Sequence, residues 1–119
     1  MNPATHGTDS VGYLLVNVTT AQGAIPLEGA SVLLRGGTQD TSGVILSMRT
    51  GRDGQTQKIA LPTPPLANSA SPDGDLPYAL YSIDVQKEGY HPLNIEAVPV
   101  FPSILSIQGA VMIPEGVTP

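Results

Sequence analysis

The chain has 119 residues and a mass of 12.3 kDa, which is the size of a single domain. Ten acidic residues against five basic ones give a net charge of −5, which argues against nucleic acid or an anionic membrane surface as a partner. Thirteen glycines, twelve prolines and many β-branched residues favour short strands over long helices, and 40% hydrophobic residues suffice for a core.

The residue content and the absence of long apolar runs exclude several kinds of site and segment. The absence of cysteine excludes disulfides, thiolate metal ligands and cysteine nucleophiles. No apolar run is long enough to predict a transmembrane helix. Residues 1–10 have neither a basic nor an apolar region, so they do not predict a secretory signal. The compartment stays open between the cytoplasm and the envelope of a cell or spore.

The alternation of apolar and polar residues predicts short strands along most of the chain. Residues 1–10 are small and polar and predict a disordered tail, and residues 11–114 then form one predicted domain. The pattern has a period of two, which is typical of strands with one buried face. In chain order, the predicted inward rows are Leu14, Val16 and Val18; Ala30, Val32 and Leu34; Val44, Leu46 and Met48; Tyr81, Ile83 and Val85; Leu93, Ile95 and Ala97; and Leu105, Ile107, Val111 and Ile113.

The connections between these rows carry glycine and proline. Residues 50–54 predict a tight turn, because Asp53-Gly54 readily supplies a positive φ. Residues 55–61 form a short strand at most. Residues 62–77 hold five prolines and predict a long loop, Val100-Phe101 predicts a bend, and residues 115–119 predict a C-terminal tail. With about seven strands and no convincing helix, the chain reads as an antiparallel sandwich.

Three motifs in order resemble the carboxypeptidase regulatory-like family. They are Pro26-Leu27-Glu28-Gly29-Ala30-Ser31-Val32, then Thr50-Gly51-Arg52-Asp53-Gly54-Gln55, then the segment from Tyr81 to Tyr90 that ends Lys87-Glu88-Gly89-Tyr90. The resemblance covers roughly residues 12–114. It implies an all-β fold, a seven-stranded antiparallel Greek-key sandwich of the prealbumin-like (transthyretin-like) kind. The proline-rich loop departs from the short turn that such modules carry there.

Further segments are similar to modules of spore-forming bacteria. These are residues 23–30, 60–65, 77–81 and 98–102. Such modules accompany peptidoglycan-binding domains and the non-catalytic N-terminal part of spore cortex-lytic enzymes. This similarity implies cell-wall or spore surroundings without an activity of the chain's own.

The motif residues also have a structural explanation. Gly29, Gly54 and Gly89 permit backbone angles that other residues resist, and Asp53 can accept a hydrogen bond within its own turn. The ring of Tyr90 is expected to pack over the end of the sandwich. We therefore interpret these five residues as structural turn residues.

No catalytic, metal or cofactor site is predicted. His6 lies in the tail and His91 at a strand start, so two histidines do not make a metal site. Asp73 and Asp75 flank Gly74, but two carboxylates are too few for a calcium loop. All acidic residues fall in turns, tails or outward strand positions, so no pair stands out for acid–base chemistry.

Exposed apolar residues suggest two interaction surfaces. One surface is the outward pair Tyr13 and Leu15, and the other is Leu66 of the proline-rich loop together with Tyr78 and Leu80. Each could contact a neighbouring domain or a second copy of the chain.

The function predicted from the sequence is a non-catalytic structural or binding module, not an enzyme. It would contact a protein partner or cell-wall material, with no cofactor, no nucleic acid and no membrane insertion, as a monomer or weak dimer. Two alternatives stay open: a small-ligand carrier at a dimer interface, and a hydrolase that uses carboxylates or His91.

Overall fold

The computed structural model describes residues 10–36, 43–63 and 78–118, and this part of the chain is almost entirely strand. The described residues form eight strands and one turn of 3₁₀ helix, Ala21–Gly23. The strands are β1 (Val11–Thr20), β2 (Ile25–Pro26), β3 (Ser31–Gly36), β4 (Ile45–Arg49), β5 (Ile59–Pro62), β6 (Ala79–Gln86), β7 (Leu93–Val100) and β8 (Leu105–Val111).

The strands make two four-stranded sheets. In the first sheet, β1 pairs antiparallel with β2 and β5 and parallel with β8. The second sheet has the order β4-β3-β6-β7 and is antiparallel throughout. The predicted all-β class with two sheets is thus confirmed. The predicted seven-stranded antiparallel Greek-key topology is not confirmed, because the described residues form eight strands and the β1–β8 pair is parallel.

The core lies between the two sheets and is aliphatic apart from one tyrosine. The inward rows predicted for β1, β3 and β6 are all fully buried, as the period of two requires. Val44, Met48, Leu93 and Ile95 pack against this core from the second sheet. The buried apolar residues are Leu14, Val16, Val18, Leu27, Ala30, Val32, Leu34, Leu61, Ala79, Tyr81, Ile83, Val85, Val98, Val100, Ala110 and Met112.

The predicted orientation of β8 is wrong by one residue. Leu105, Ile107 and Val111 are exposed, whereas Ala110 and Met112 are buried. The side chains alternate across a strand, so a shift of one residue exchanges its two faces. The inner face of β8 carries Ser106, Gln108 and Ala110, so the polarity pattern pointed to the wrong face. The parallel pairing with β1 determines which face is inside.

The segment around β7 also differs from expectation. Val100, predicted in a bend, is the last residue of β7 and is fully buried. Ala97, predicted inward, is exposed and has a φ of 59°, where the β6–β7 register shifts. Pro99 is tolerated because β7 lies at the sheet edge. On β4, Leu46 is exposed although it was predicted inward.

The boundaries of the proline-rich loop and of the tails shift as well. Pro62, predicted to open the loop, is the last residue of β5 and pairs with Val11. The rest of the loop from residue 64 and the tail before residue 10 lie outside the described residues. At the other end, the Glu115 amide donates to the Gly89 carbonyl at 2.9 Å, so the start of the predicted C-terminal tail is held by the sandwich.

The turn after β4 is built around Asp53 and Gly54. The Asp53 carboxylate accepts a hydrogen bond from the Gln55 amide at 3.0 Å, and Gly54 has a φ of +77°. A Cβ at Gly54 would lie 2.5 Å from the Val18 carbonyl oxygen. Glycine is thus required here for its positive φ and for the close approach of β1.

No helix in the described part of the chain has the length and apolar composition that a membrane span needs.

Candidate functional site

The residues predicted as interaction surfaces lie on different sheets. Tyr13 and Leu15 are half-buried on β1 in the first sheet. Tyr78 precedes β6 in the second sheet, and its ring packs against Phe101 with centroids 5.2 Å apart. Leu80 lies on β6 opposite Pro99. Leu66 is outside the described residues, so the second predicted surface is not assembled from them.

The predicted turn residues lie at the ends of strands. Gly29 and Gly89 have φ values of +77° and +89°, in the region that favours glycine. Tyr90 packs against the core and forms a bridge with Pro114. These residues shape connections and do not converge on a cavity.

His91 is held by the end of the chain. One ring nitrogen, Nε2, lies 2.8 Å from the Val117 carbonyl oxygen. Within the described ranges, no group of three or more histidine, cysteine, aspartate or glutamate side chains is placed to hold a metal ion. This contact joins His91 to the C-terminal residues at this end of the sandwich.

A cluster of polar side chains on the outer face of the second sheet was missed by sequence reasoning. Asp84 on β6 accepts hydrogen bonds from Arg35 Nη2 on β3 at 2.5 Å and from Asn94 Nδ2 on β7 at 2.7 Å. The side chain of Arg35 is 46% exposed and that of Asp84 29%. Each of the three residues comes from a different, adjacent strand, so the cluster exists only in the assembled sheet.

Strand register explains why these groups meet. Ser47, Leu33, Asp84 and Asn94 lie side by side across the four strands. On β6, the neighbours Ile83 and Val85 are buried, so Asp84 must point away from the core. The outward charges of Arg35 on β3 and Asp84 on β6 could have indicated this cluster. The sequence did not show that the two strands pair.

The cluster borders a cavity of about 340 Å³ on this outer face. Polar groups of Asp84, Asn94 and two serines line it together with apolar groups. The lining residues are Ser31, Leu33, Ser47, Asp84, Val85, Gln86, Pro92, Leu93 and Asn94. The cavity is a half-open depression on the sheet surface, and its volume is near the lower limit of about 300–1,000 Å³ for small-molecule sites.

The geometry of Asp84 suits the recognition of hydroxyl groups. A carboxylate has about four acceptor positions, and Arg35 and Asn94 each occupy one. The two donors come from opposite neighbouring strands, so they fix the plane of the carboxylate between them. The arrangement offers a positioned acceptor beside apolar contacts, which fits a small hydroxylated compound.

Comparison with known proteins identifies relatives of the fold but not of the sequence. No model of a known protein family matches the chain, and no curated protein is similar enough in sequence to count as a relative. The resemblance to carboxypeptidase regulatory-like modules and to modules of spore-forming bacteria accordingly stays a prediction.

Several solved structures share the sandwich. The 3-chlorocatechol 1,2-dioxygenase from Rhodococcus opacus 1CP matches 94% of this chain with a TM-score of 0.61 and 13% identity. The hydroxyquinol 1,2-dioxygenase from Pseudomonas putida DLL-E4 matches 89% with a TM-score of 0.59 and 12% identity. The Bacillus anthracis TIE protein matches 87% with a TM-score of 0.57 and 15% identity.

The matches extend over only part of the other chains. This chain covers 62% of the chlorocatechol enzyme, 57% of the hydroxyquinol enzyme and 16% of the TIE protein. At identities of 12–15%, the likeness shows a shared fold and does not by itself transfer an activity.

These matches overturn the functional prediction made from the sequence. A non-catalytic structural or binding module, and a chain that is not an enzyme, were expected. Besides the TIE protein, the reported structures that match most of this chain are enzymes, the catechol, chlorocatechol and hydroxyquinol dioxygenases, so the fold is one that enzymes use. The expectation rested on the absence of a recognisable set of catalytic residues, and such an absence does not indicate which proteins share the fold.

Proposed function

We propose that this chain is the sandwich of an enzyme that acts on a ring compound with hydroxyl groups on adjacent carbons. In this proposal, the cavity beside Asp84 binds that ring. Support comes from the named substrates of the structural neighbours, because catechol, chlorocatechol and hydroxyquinol are all aromatic 1,2-diols.

The observation that carries the proposal is the position of the Asp84 carboxylate. Two adjacent hydroxyl groups can donate to the two oxygens of one carboxylate, since their separations are similar. Arg35 and Asn94 hold the carboxylate in a fixed orientation before a ligand arrives. Preorganisation of this kind lowers the entropy cost of binding.

The apolar part of the cavity complements the ring. Leu33, Pro92 and Leu93 line the cavity beside the polar cluster. Contacts of this type bury the faces of an aromatic ring, while the polar groups set its orientation. Ser31 and Ser47 add hydroxyls that can donate or accept at the ring's other substituents.

Reaction of dioxygen with an aromatic diol needs a metal ion or an organic cofactor, and the described residues do not fit a metal centre. Asp84 is the single acidic residue that lines the cavity, and the described ranges contain no trio of metal-binding side chains. The Tyr81 hydroxyl donates to the Pro62 carbonyl, and burial raises the pKa of Tyr81 to about 12, so it is not a ready phenolate ligand. Asp84 and its neighbours therefore account for binding of the diol and not for its reaction with dioxygen.

A titration with catechol, followed by NMR on the full chain, tests the proposal. We expect catechol to shift the amide signals of residues that line the cavity, and resorcinol, the 1,3-diol, to shift them far less. In Asp84→Asn, catechol affinity should fall about tenfold or more, since loss of one charge-assisted pair is worth at least about 1.4 kcal/mol.

The control variant is Glu115→Gln, which removes an exposed carboxylate that does not line the cavity. It should bind catechol as the unmodified chain does. Equal responses to catechol and resorcinol, or an Asp84→Asn variant that binds as before, would overturn the proposal.

A further inference from the structure

Four of the five edge strands among the described residues carry a charge or a proline, features that discourage pairing with other chains. β4 ends at Arg49, and β7 contains Glu96 and Pro99. On the first sheet, β2 and β5 end at Pro26 and Pro62. Charges and prolines at such positions block the addition of a further strand.

β8, the remaining edge strand, has no such protection. Leu105–Val111 contains neither a charged residue nor a proline. It is one of the longer strands at an edge, with seven residues against two in β2 and four in β5. A long, neutral and apolar edge is the type that pairs with another strand.

The free backbone groups of β8 can be identified from its bonds to β1. The Met112 amide donates to Thr19, and the Ile104 carbonyl accepts from Tyr13. Because backbone groups alternate along a strand, Leu105, Ile107 and Val111 direct theirs away from β1.

No other described strand pairs with that side of β8. The first backbone contact there is the bond from the His91 amide to Ile113, beyond the end of the strand. Within the strand, the Gly109 carbonyl accepts a bond from the Gln108 side chain at 2.8 Å. The donors and acceptors of Ile107 are thus available near the middle of the edge.

The side chains next to this edge are also apolar and exposed. Ile107 is 63% exposed, and Leu105 and Val111 flank it on the same face. Tyr13 and Leu15 continue that face on β1, where they pair with Leu105 and Ile107. Part of the surface predicted from the sequence therefore lies beside the open edge.

We propose that β8 pairs antiparallel with β8 of a second copy of this chain. A two-fold pairing of this kind uses the open edge of both copies and stops at a dimer. The strand is neutral while each chain carries a net charge of −5, so this edge is where two acidic copies can approach without meeting like charges. The cavity beside Asp84 lies on the other sheet and stays open in such a dimer.

Sedimentation equilibrium over a range of concentrations tests the proposal. The unmodified chain should approach twice the 12.3 kDa mass of one chain. Ile107→Pro keeps an apolar side chain but removes the central edge amide, and Ile107→Lys places a charge at the edge. Both variants should sediment as monomers with an unchanged far-ultraviolet circular dichroism spectrum.

Ile45→Lys is the matched control, because Ile45 is 66% exposed on β4 and lies on the other sheet. It should dimerise as the unmodified chain does. The proposal fails if the unmodified chain is monomeric up to its solubility limit, or forms larger assemblies. It also fails if folded Ile107→Pro and Ile107→Lys still dimerise.

Discussion

At the scale of single residues, the tightest constraint is at Gly54. Its amide donates to Gly51, and its carbonyl accepts from Val18 at 2.7 Å, so the turn is bonded to β1. An added Cβ would meet the Val18 carbonyl oxygen at 2.5 Å and Pro26 Cβ at 3.0 Å. The residue is therefore restricted both by its backbone angles and by the space around it.

We expect Gly54→Ala to destabilise the chain more than Gly89→Ala does. Both glycines have positive φ, which costs an alanine about 1–2 kcal/mol. At Gly89 nothing lies within 4 Å of the added Cβ, whereas at Gly54 overpacking adds about 1–3 kcal/mol. Urea unfolding of the two variants measures the difference, and equal losses would show that β1 moves aside without cost.

At the scale of elements, β8 shows how pairing decides orientation. Ala110 and Met112 reach the core because β8 runs parallel to β1 and the Met112 amide donates to Thr19 at 2.7 Å. The Thr20 hydroxyl also donates to the Met112 carbonyl at 2.8 Å. These bonds fix the end of the strand, and the exposed face follows from them.

Truncation at adjacent positions of this segment tests the orientation. Met112→Ala should cost about 2–5 kcal/mol, because it leaves a cavity in the core. Val111→Ala should change the free energy of unfolding by about 0.5 kcal/mol or less, since Val111 points away from the core and is about half exposed. Thermal unfolding of both variants at a concentration where the chain is monomeric provides the measurement, and the reverse order of effects would restore the orientation first predicted.

At the scale of the whole molecule, a buried hydroxyl links the two sheets. The Tyr81 hydroxyl on β6 donates to the Pro62 carbonyl on β5 at 2.7 Å. Removal from water disfavours the phenolate, and this desolvation raises the pKa of Tyr81 from 10.0 to about 12. The folded chain consequently holds this proton at a pH where the unfolded chain has released it.

The sign of the resulting pH dependence follows from this difference. Stability from the raised pKa is complete below pH 10 and is lost as the pH rises through about 12. The loss amounts to roughly 2–3 kcal/mol for the unmodified chain and is absent in Tyr81→Phe. We therefore expect the free energies of unfolding of the unmodified chain and of Tyr81→Phe, measured from pH 8 to pH 12, to converge above pH 10. A constant difference between the two proteins over this pH range would show that Tyr81 has the same pKa in the folded and unfolded chain.

The amino-acid sequence was sufficient to predict the buried faces of β1, β3 and β6. On β6, Ser82 and Asp84 lie on the face opposite Ile83, and the structure buries the apolar face. β1 and β3 also carry Leu15 and Leu33 outside, but their inward rows are apolar without interruption and are buried as predicted. The Asp53-Gly54 turn could also be predicted, because its conformation depends on local backbone angles.

The features that depend on which strands pair became apparent only in the tertiary structure. Alternation places the apolar residues Leu105 and Ile107 of β8 on one face, yet the inner face carries Ser106, Gln108 and Ala110. The inner face was set by pairing with β1, a strand about ninety residues earlier in the chain. Arg35, Asp84 and Asn94 are likewise far apart in sequence and meet only through the register of β3, β6 and β7. Residue alternation predicted the solvent-exposed side of β3 and β6 but not that of β8. The pairing that builds a site or an open edge comes from long-range contacts, which a single sequence does not show.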